Sequence, residues 1–224
     1  MVKALLCDID GTLVDSNWLH AEAWRVAFAA MGIDVGVEDV RRQIGKGGDE
    51  LIPVFVPWWK RKAVEEPLKT YRKFVFQHGF RQKVKALPGA RDLLVRVREA
   101  GIKVELASSS DKDDLQVMKR VAQIEDVVDE ETSAADVERA KPHPDVFSAA
   151  MEKLGLKPHE CVALGDTPWD AESAGKAGVR TIGVMTGGWS RLELLQAGCV
   201  EVYENCAELL KEFERSVLVR NRLE

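Results

Sequence analysis

The sequence predicts an α/β protein: a doubly wound parallel sheet whose first strand is followed by an inserted, all-helical region. Apolar strand-like runs alternate with helix-like stretches over most of the 224-residue chain, the pattern of a parallel sheet covered by helices on both faces. The first such run, Leu5-Leu6-Cys7-Asp8-Ile9-Asp10-Gly11, ends in two carboxylates, and open parallel sheets present ligand-binding groups at the C-terminal tips of their strands. Between about residues 15 and 85 the alternation stops, and helical periodicity takes over with no convincing strand.

The first strand is expected over Ala4–Ile9. Leu19, Ala23, Val26, Ala27 and Ala30 recur at helical spacing and mark the apolar face of a helix that stops near Gly32. Further helices are expected around Glu38–Ile44, Glu50–Val56 and Trp58–Phe76, the last interrupted or kinked by Pro67. Trp58-Trp59 is expected to pack between this region and the sheet or to line a cleft.

From Pro88-Gly89 the alternation resumes, with helix Gly89–Ala100, strand Lys103–Ala107, helix Lys112–Val121, a short strand near Val127–Val128 and helix Asp145–Leu154. Strand Cys161–Leu164, helix Ala171–Ala177, strand Thr181–Val184, helix Arg191–Ala197, strand Val200–Tyr203 and helix Ala207–Leu218 follow. Gly101, Gly155, Gly178 and Gly198 stand where helices should stop. The expected division is therefore 1–14 and 86–224 for the sheet unit and 15–85 for the helical one.

Composition narrows the class. Hydrophobic residues make up 46% and charged residues 31%, as in globular proteins with a packed core. Lys and Arg total 32 against 37 acids, a formal charge of −5, which argues against a nucleic-acid surface. No apolar run approaches a membrane span, and no charged leader precedes the first strand, so a cytoplasmic location without membrane partners is expected. Cys7, Cys161, Cys199 and Cys206 lack metal-type spacing and read as buried small hydrophobes or free thiols.

Asp8 and Asp10 would share a face of a straight strand, and Gly11 lets the chain turn so that the second acid can swing over the first. Carboxylates this close repel unless a cation or a shared proton compensates, which suggests a bound metal or a proton-transfer role. An Asp-Gly turn accounts for Asp10 alone, not for Asp8 at the end of a strand covered on both faces.

Asp8-Ile9-Asp10-Gly11-Thr12-Leu13-Val14-Asp15-Ser16 resembles the first signature of the haloacid dehalogenase-like superfamily, most of whose members are phosphatases. Leu106-Ala107-Ser108-Ser109-Ser110, Lys141-Pro142-His143-Pro144-Asp145 and Leu164-Gly165-Asp166-Thr167-Pro168-Trp169-Asp170 follow in the expected order. The resemblance implies a Rossmann-like core with residues 15–85 as a helical cap. It also implies Asp8 as a nucleophile that forms an aspartyl-phosphate and Asp10 as general acid and base. By the same resemblance, Mg²⁺ is held by Asp8, the backbone carbonyl of Asp10, Asp166 and, directly or through water, Asp170. Asp170 reads equally well as an N-cap for the helix that follows.

Ser108, with Ser109, ends a strand before a helix and could hold the phosphoryl group, although Ser-Ser-Ser-Asp is also an N-capping sequence. Lys141, extended by the following Pro142, would offset the charge of Asp8 and of the phosphoryl oxygens. Ile44-Gly45-Lys46-Gly47-Gly48-Asp49 is either a flexible loop that closes over substrate, with Lys46 and Gly47 conferring selectivity, or a plain turn. His20, Trp24, Arg41 and Arg42 are further candidates, with packing the default role for His20 and Trp24.

The expected activity is Mg²⁺-dependent hydrolysis of a small phosphorylated metabolite. A sugar phosphomutase is the nearest competitor; its relatives carry adjacent Glu-Asp in the fourth motif, where this chain has Trp169-Asp170. A phosphonate hydrolase would need a Schiff-base lysine in the cap, for which only Lys46 is placed, and dehalogenases lack the acid that Asp10 supplies. Intact acids in all motifs argue against a binding protein without turnover. The sequence leaves the oligomeric state open.

Overall fold

The computed structural model describes residues 1–220; residues 221–224, the end of the expected sheet unit, lie outside the described residues. Strand β1 (Ala4–Cys7) leads into a short β2 (Val14–Asp15), then helices α1 (Asn17–Ala30), α2 (Val37–Arg41), α3 (Gly48–Phe55) and α4 (Trp58–Val75), and back through β3 (Lys85–Ala86). The remainder alternates: α5 (Ala90–Glu99), β4 (Lys103–Ala107), α6 (Lys112–Ala122), β5 (Glu130–Thr132), α7 (Asp145–Leu154) and β6 (Cys161–Gly165). Then come α8 (Pro168–Lys176), β7 (Arg180–Val184), α9 (Arg191–Gln196), β8 (Cys199–Tyr203) and α10 (Cys206–Lys211).

The main sheet is parallel in the order β5-β4-β1-β6-β7-β8. Strand pleating sorts each strand's side chains between two layers. Leu5 and Cys7 of β1, with Val162 and Leu164 of β6, join the larger core cluster, while Ala4 and Leu6, with Cys161 and Ala163, join the cluster under α7 and α8. Cys7 pairs with both Leu106 and Leu164. The tips of β1, β4 and β6 are therefore level, and the residues just beyond them, Asp8, Ser108 and Asp166, come out side by side.

The α1–α4 region has its own apolar cluster, including Trp24, Phe28, Val40, Ile44, Leu51, Ile52 and Leu68. Its entry and exit meet in an antiparallel pair, Val14 opposite Ala86 and Asp15 opposite Lys85. The predicted face of α1 is rotated: Ala23 and Ala27 are buried, but Leu19 and Val26 are only partly so and Ala30 is exposed. His20, Ala21, Trp24 and Phe28 are buried instead, because α1 is packed both on the sheet unit and on its own cluster. Helix α4 runs unbroken through Pro67 and continues as a π-turn, Phe76–Phe80.

Two elements at the C-terminal half differ from expectation. The edge strand lies at Glu130–Thr132 and not at Val127–Val128, because a strand with one free edge needs no apolar run; Thr132 is tied to the neighbouring strand through Glu105. The last helix ends at Lys211, and a short turn, Phe213–Arg215, takes over, with Ser216 Oγ donating to the Phe213 carbonyl at 2.7 Å. The four cysteines are free and buried, and burial pushes their thiols up, which keeps them unreactive. Among the described residues no helix is long and apolar enough to cross a membrane.

Candidate active site

Asp8 leaves the tip of β1 with its backbone N–H donating to the Leu164 carbonyl at 2.9 Å, which fixes it beside the end of β6. One oxygen each from Asp8, Asp166 and Asp170 lies within 4.8 Å of the others, and all three residues are buried. One cation faces them. Lys141, 1% exposed, places Nζ 2.5 Å from Asp8 Oδ1 and 2.8 Å from Asp170 Oδ1.

Asp166 is held from its other side by Thr12 Oγ1 at 2.8 Å and Asn17 Nδ2 at 2.7 Å. Gly11, at φ +77°, is required at this point, because a Cβ there would collide with Asn17 and Asp166. Thr167, not Asp170, caps α8, and Asp170 sits at the third helical position of a reciprocal capping box. Asp170 Oδ2 accepts from the Thr167 backbone at 3.1 Å and its hydroxyl at 2.6 Å, which leaves Oδ1 for the cluster.

Burial raises the Asp8 carboxyl to about 7, Lys141 opposing and Asp170 and Asp10 adding to the rise. Asp166 is pushed well above the usual range by burial and by its two acidic neighbours. Burial would lower the Lys141 ammonium, but Asp170 and Asp8 outweigh it and raise it. Three buried carboxylates against one lysine leave the site short of positive charge. An all-oxygen donor set of this kind fits a small hard divalent cation.

The Asp10 carboxylate is not part of that cluster. Its Oδ1 accepts from Ser16 Oγ at 2.6 Å and lies 3.0 Å from His20 Nε2, and its Oδ2 accepts from Ser110 Oγ at 2.6 Å. Burial alone would push Asp10 up, but His20 and the bonds from Ser110 and Ser16 hold it well below the usual carboxylate range. Ser108, 1% exposed, accepts from the Ser110 backbone at 3.0 Å, and the Ser109 hydroxyl is buried without a partner among the described residues.

Asp8, Asp10, His20, Trp24, Lys46, Arg72 and Ser108 to Ser110 line one open cleft between the sheet tips and the helical region. Lys46 Nζ rests 3.8 Å from the centre of the Trp169 ring and donates to Gln43 at 2.7 Å. Arg42 stacks 3.7 Å over Trp189 and pairs with Glu193 at 2.6 Å, and Arg41 donates to the Gly187 carbonyl at 2.7 Å. Gly47 is not on this cleft; it abuts Ala140 in an adjoining hollow. Trp58 and Trp59, 75% and 65% exposed, stack edge-on on the outside of α4, so the bridging expected of them falls to Trp169 and Trp189.

Residues 2–178 match the haloacid dehalogenase-like hydrolase family. The chain belongs to that family. It is 27% identical to the phosphorylated carbohydrates phosphatase of Thermotoga maritima, over 94% of this chain and 99% of that protein. It is also 27% identical to pyrophosphatase PpaX of Oceanobacillus iheyensis, over 82% and 84%. A hydrolase from Pseudomonas syringae superposes with a TM-score of 0.86 at 28% identity, covering 95% of this chain and 98% of that one. This haloacid dehalogenase-like chain is thus an enzyme of the phosphatase kind.

The sequence leaves the roles of several residues of this hydrolase's site undecided. His20 reads as helix packing, and it does stack on Phe76 at 3.9 Å, but the same ring reaches Asp10. Thr12, Asn17 and Ser16 look like turn and cap residues. Ser110 is one of three serines, with nothing in the sequence to show which one points at Asp10.

Proposed function

We propose that this protein is a Mg²⁺-dependent phosphatase that cleaves a small phosphate monoester through an aspartyl-phosphate on Asp8. The observation that carries the reading is the pairing, in one cleft, of Asp8 against buried Lys141 with Asp10 in a separate hydrogen-bond network. Two carboxylates in environments that drive their proton affinities apart are suited to different roles. Asp8 Oδ attacks phosphorus as the P–O bond to the alcohol breaks, the leaving oxygen taking a proton from Asp10; water then displaces the phosphoryl from Asp8 and gives its proton to Asp10 as free phosphate leaves.

Asp10, ionised when the cleft holds no substrate, serves as the base toward that water. The incoming phosphoryl dianion raises its proton affinity, which equips it to protonate the leaving oxygen. His20, Ser16 and Ser110 orient it. Lys141 offsets charge at Asp8 and the phosphoryl oxygens, and Ser108 and Ser109 hold those oxygens. Asp8, Asp166 and Asp170, with the Asp10 carbonyl that the family resemblance adds, would hold the metal, which neutralises phosphoryl charge when bound. Residues 15–85 act as the cap, moving on the linkers paired at β2 and β3.

Wild-type protein with Mg²⁺ should release free phosphate from a generic ester at each turnover, with no need for a sugar bisphosphate activator. Asp8→Asn should lower that rate by about 10⁶ with the fold intact. Normal turnover in Asp8→Asn would remove the covalent mechanism. Isomerised sugar phosphate without free phosphate would convert the reading to a mutase, which must keep water from the aspartyl-phosphate.

A further inference from the structure

Among the described residues, Arg72 is the one cation of the cleft that lacks a polar partner. Lys141 is engaged with Asp8 and Asp170, Lys46 with Gln43 and Trp169, Lys69 with Glu65 at 2.7 Å, and Lys73 with Asp111 at 3.0 Å. The Arg72 guanidinium lies 5.4 Å from the centre of the Trp24 ring and 5.8 Å from that of Phe76. Among the described residues nothing hydrogen-bonds its Nε, although that nitrogen is buried, and no carboxylate lies within ion-pair distance of the group.

The acids that influence Arg72 electrostatically are already committed. Asp114 pairs with Arg81 at 3.4 Å and accepts from Gln77, Asp111 pairs with Lys73, and Asp10 is held by His20, Ser16 and Ser110. Burial is the largest influence on the guanidinium and lowers its hold on the proton, as expected of a cation without full compensation. Cation–π proximity to two rings favours the charge but uses none of its donors. A planar fork that, among the described residues, is unpaired and that lines both the cleft containing Asp8 and the adjoining hollow beside Lys69 and Lys73 is suited to an oxyanion.

We propose that Arg72 forms an anion subsite for a second negatively charged group of the substrate, a phosphate or a carboxylate, so that the enzyme selects doubly anionic esters. The inference rests on the phosphatase reading of the site for what occupies the Asp8 end. Reading Arg72 as packing alone would account for its stem and its rings but not for the idle fork.

The test is calorimetric binding to wild-type protein with Mg²⁺, using propylphosphonate, 3-phosphonopropanoate and propane-1,3-diyl bisphosphonate, with their five-carbon counterparts for reach. Their C–P bonds are stable to phosphate-ester hydrolysis. A charge-assisted contact predicts that one or both doubly anionic ligands bind about 10- to 100-fold tighter than the singly anionic one. Whichever is preferred distinguishes a second phosphate from a carboxylate.

Arg72→Gln should abolish the preference, and Arg72→Lys, which keeps charge and stem but not the fork, should retain part of it. If Arg72→Gln fails to fold, the wild-type series and Arg72→Lys still decide. Equal affinity across the wild-type series, including no binding of any member, or an unaltered preference in Arg72→Gln, overturns the subsite. The phosphatase reading fails separately: protein that shows the preference but releases no phosphate from any ester loses that reading and keeps the subsite, and the reverse result loses the subsite alone.

Discussion

Lys141→Ala is expected to cost stability and turnover for one reason. The side chain is 1% exposed, its Nζ reaches Asp8 and Asp170, and among the described residues no other cation touches the three clustered carboxylates. Deleting one partner of a buried ion pair costs about 3–5 kcal/mol, because the remaining charge stays buried and uncompensated. In a chain of this length each kcal/mol moves Tm by about 2–4 °C, so a fall of roughly 6–20 °C is expected at pH 8. Read from sequence alone, as a loop lysine, Lys141 suggests a modest effect on stability; its burial revises that.

The sign of the pH dependence follows from the raised carboxyls. Asp8, at about 7, and Asp166 bind protons more tightly in the folded state than in the unfolded one. Their stabilising contribution is therefore present at low pH and lost as pH rises through the folded values. Without Lys141, which holds Asp8 down, the Asp8 carboxyl rises further, so the Tm gap between wild type and variant should widen from pH 5 to 8. Saturating Mg²⁺ should narrow it, since the cation compensates the carboxylates that Lys141 no longer faces and so stabilises the variant more than the wild type. Thermal melts across that range, with and without Mg²⁺, measure the gap. Turnover below the variant's Tm should fall by about 10²–10³. A gap that ignores pH and Mg²⁺ would show that Lys141 matters only for packing, and a variant with wild-type Tm and turnover would remove it from the site.

Excess chelator should stop turnover and Mg²⁺ restore it, with Ca²⁺ a poor substitute because it prefers more and longer oxygen bonds; full activity in chelator would remove the metal role of Asp166. Glu105, buried in β4 and bonded by Thr132 at 2.8 Å, is raised by burial to about 7 from an ordinary 4.5, so its charge penalises the fold as pH climbs through that window. Denaturant titrations should find Glu105→Gln gaining about 3 kcal/mol relative to wild type between pH 4.5 and 8, and parallel curves would refute the shift. Trp189→Ala removes the surface under Arg42 and should lower kcat/KM about two- to fivefold through weaker cap closure; an unchanged value would show that the contact does not bear on closure.

The sheet and the acidic tip of β1 are legible because both depend on local chemistry. Apolar runs set the strands, and the level register of β1, β4 and β6 then brings Asp8, Ser108 and Asp166 together. Asp170 is half legible: its capping role belongs to the box with Thr167, one helical turn earlier than expected, while its second oxygen still faces Lys141. The partners of Asp10 are not legible, since Ser110 is 100 positions away and His20 lies on a helix whose buried face is decided by packing on two sides. Likewise the choice of Trp169 and Trp189 over Trp58 and Trp59 depends on where the helical region docks, which composition does not encode.

That docking also bears on how the proposed cap could open. The cap keeps an apolar cluster of its own, whereas its reach onto Trp169, Gly187, Trp189 and Glu193 is made by Lys46, Arg41 and Arg42. Contacts of this partly exposed, cationic kind are worth about 0.2–1 kcal/mol each, and water replaces them readily. Separating Phe28, Leu51 or Leu68 from their neighbours would cost about 1.5–3 kcal/mol per side chain. The polar and cationic contacts are therefore concentrated on the side of Trp169 and Trp189, while Ala23 and Phe76 join the apolar core of the sheet unit. A cap of this build would carry Arg72, Trp24 and Lys46 together in any movement on the β2 and β3 linkers.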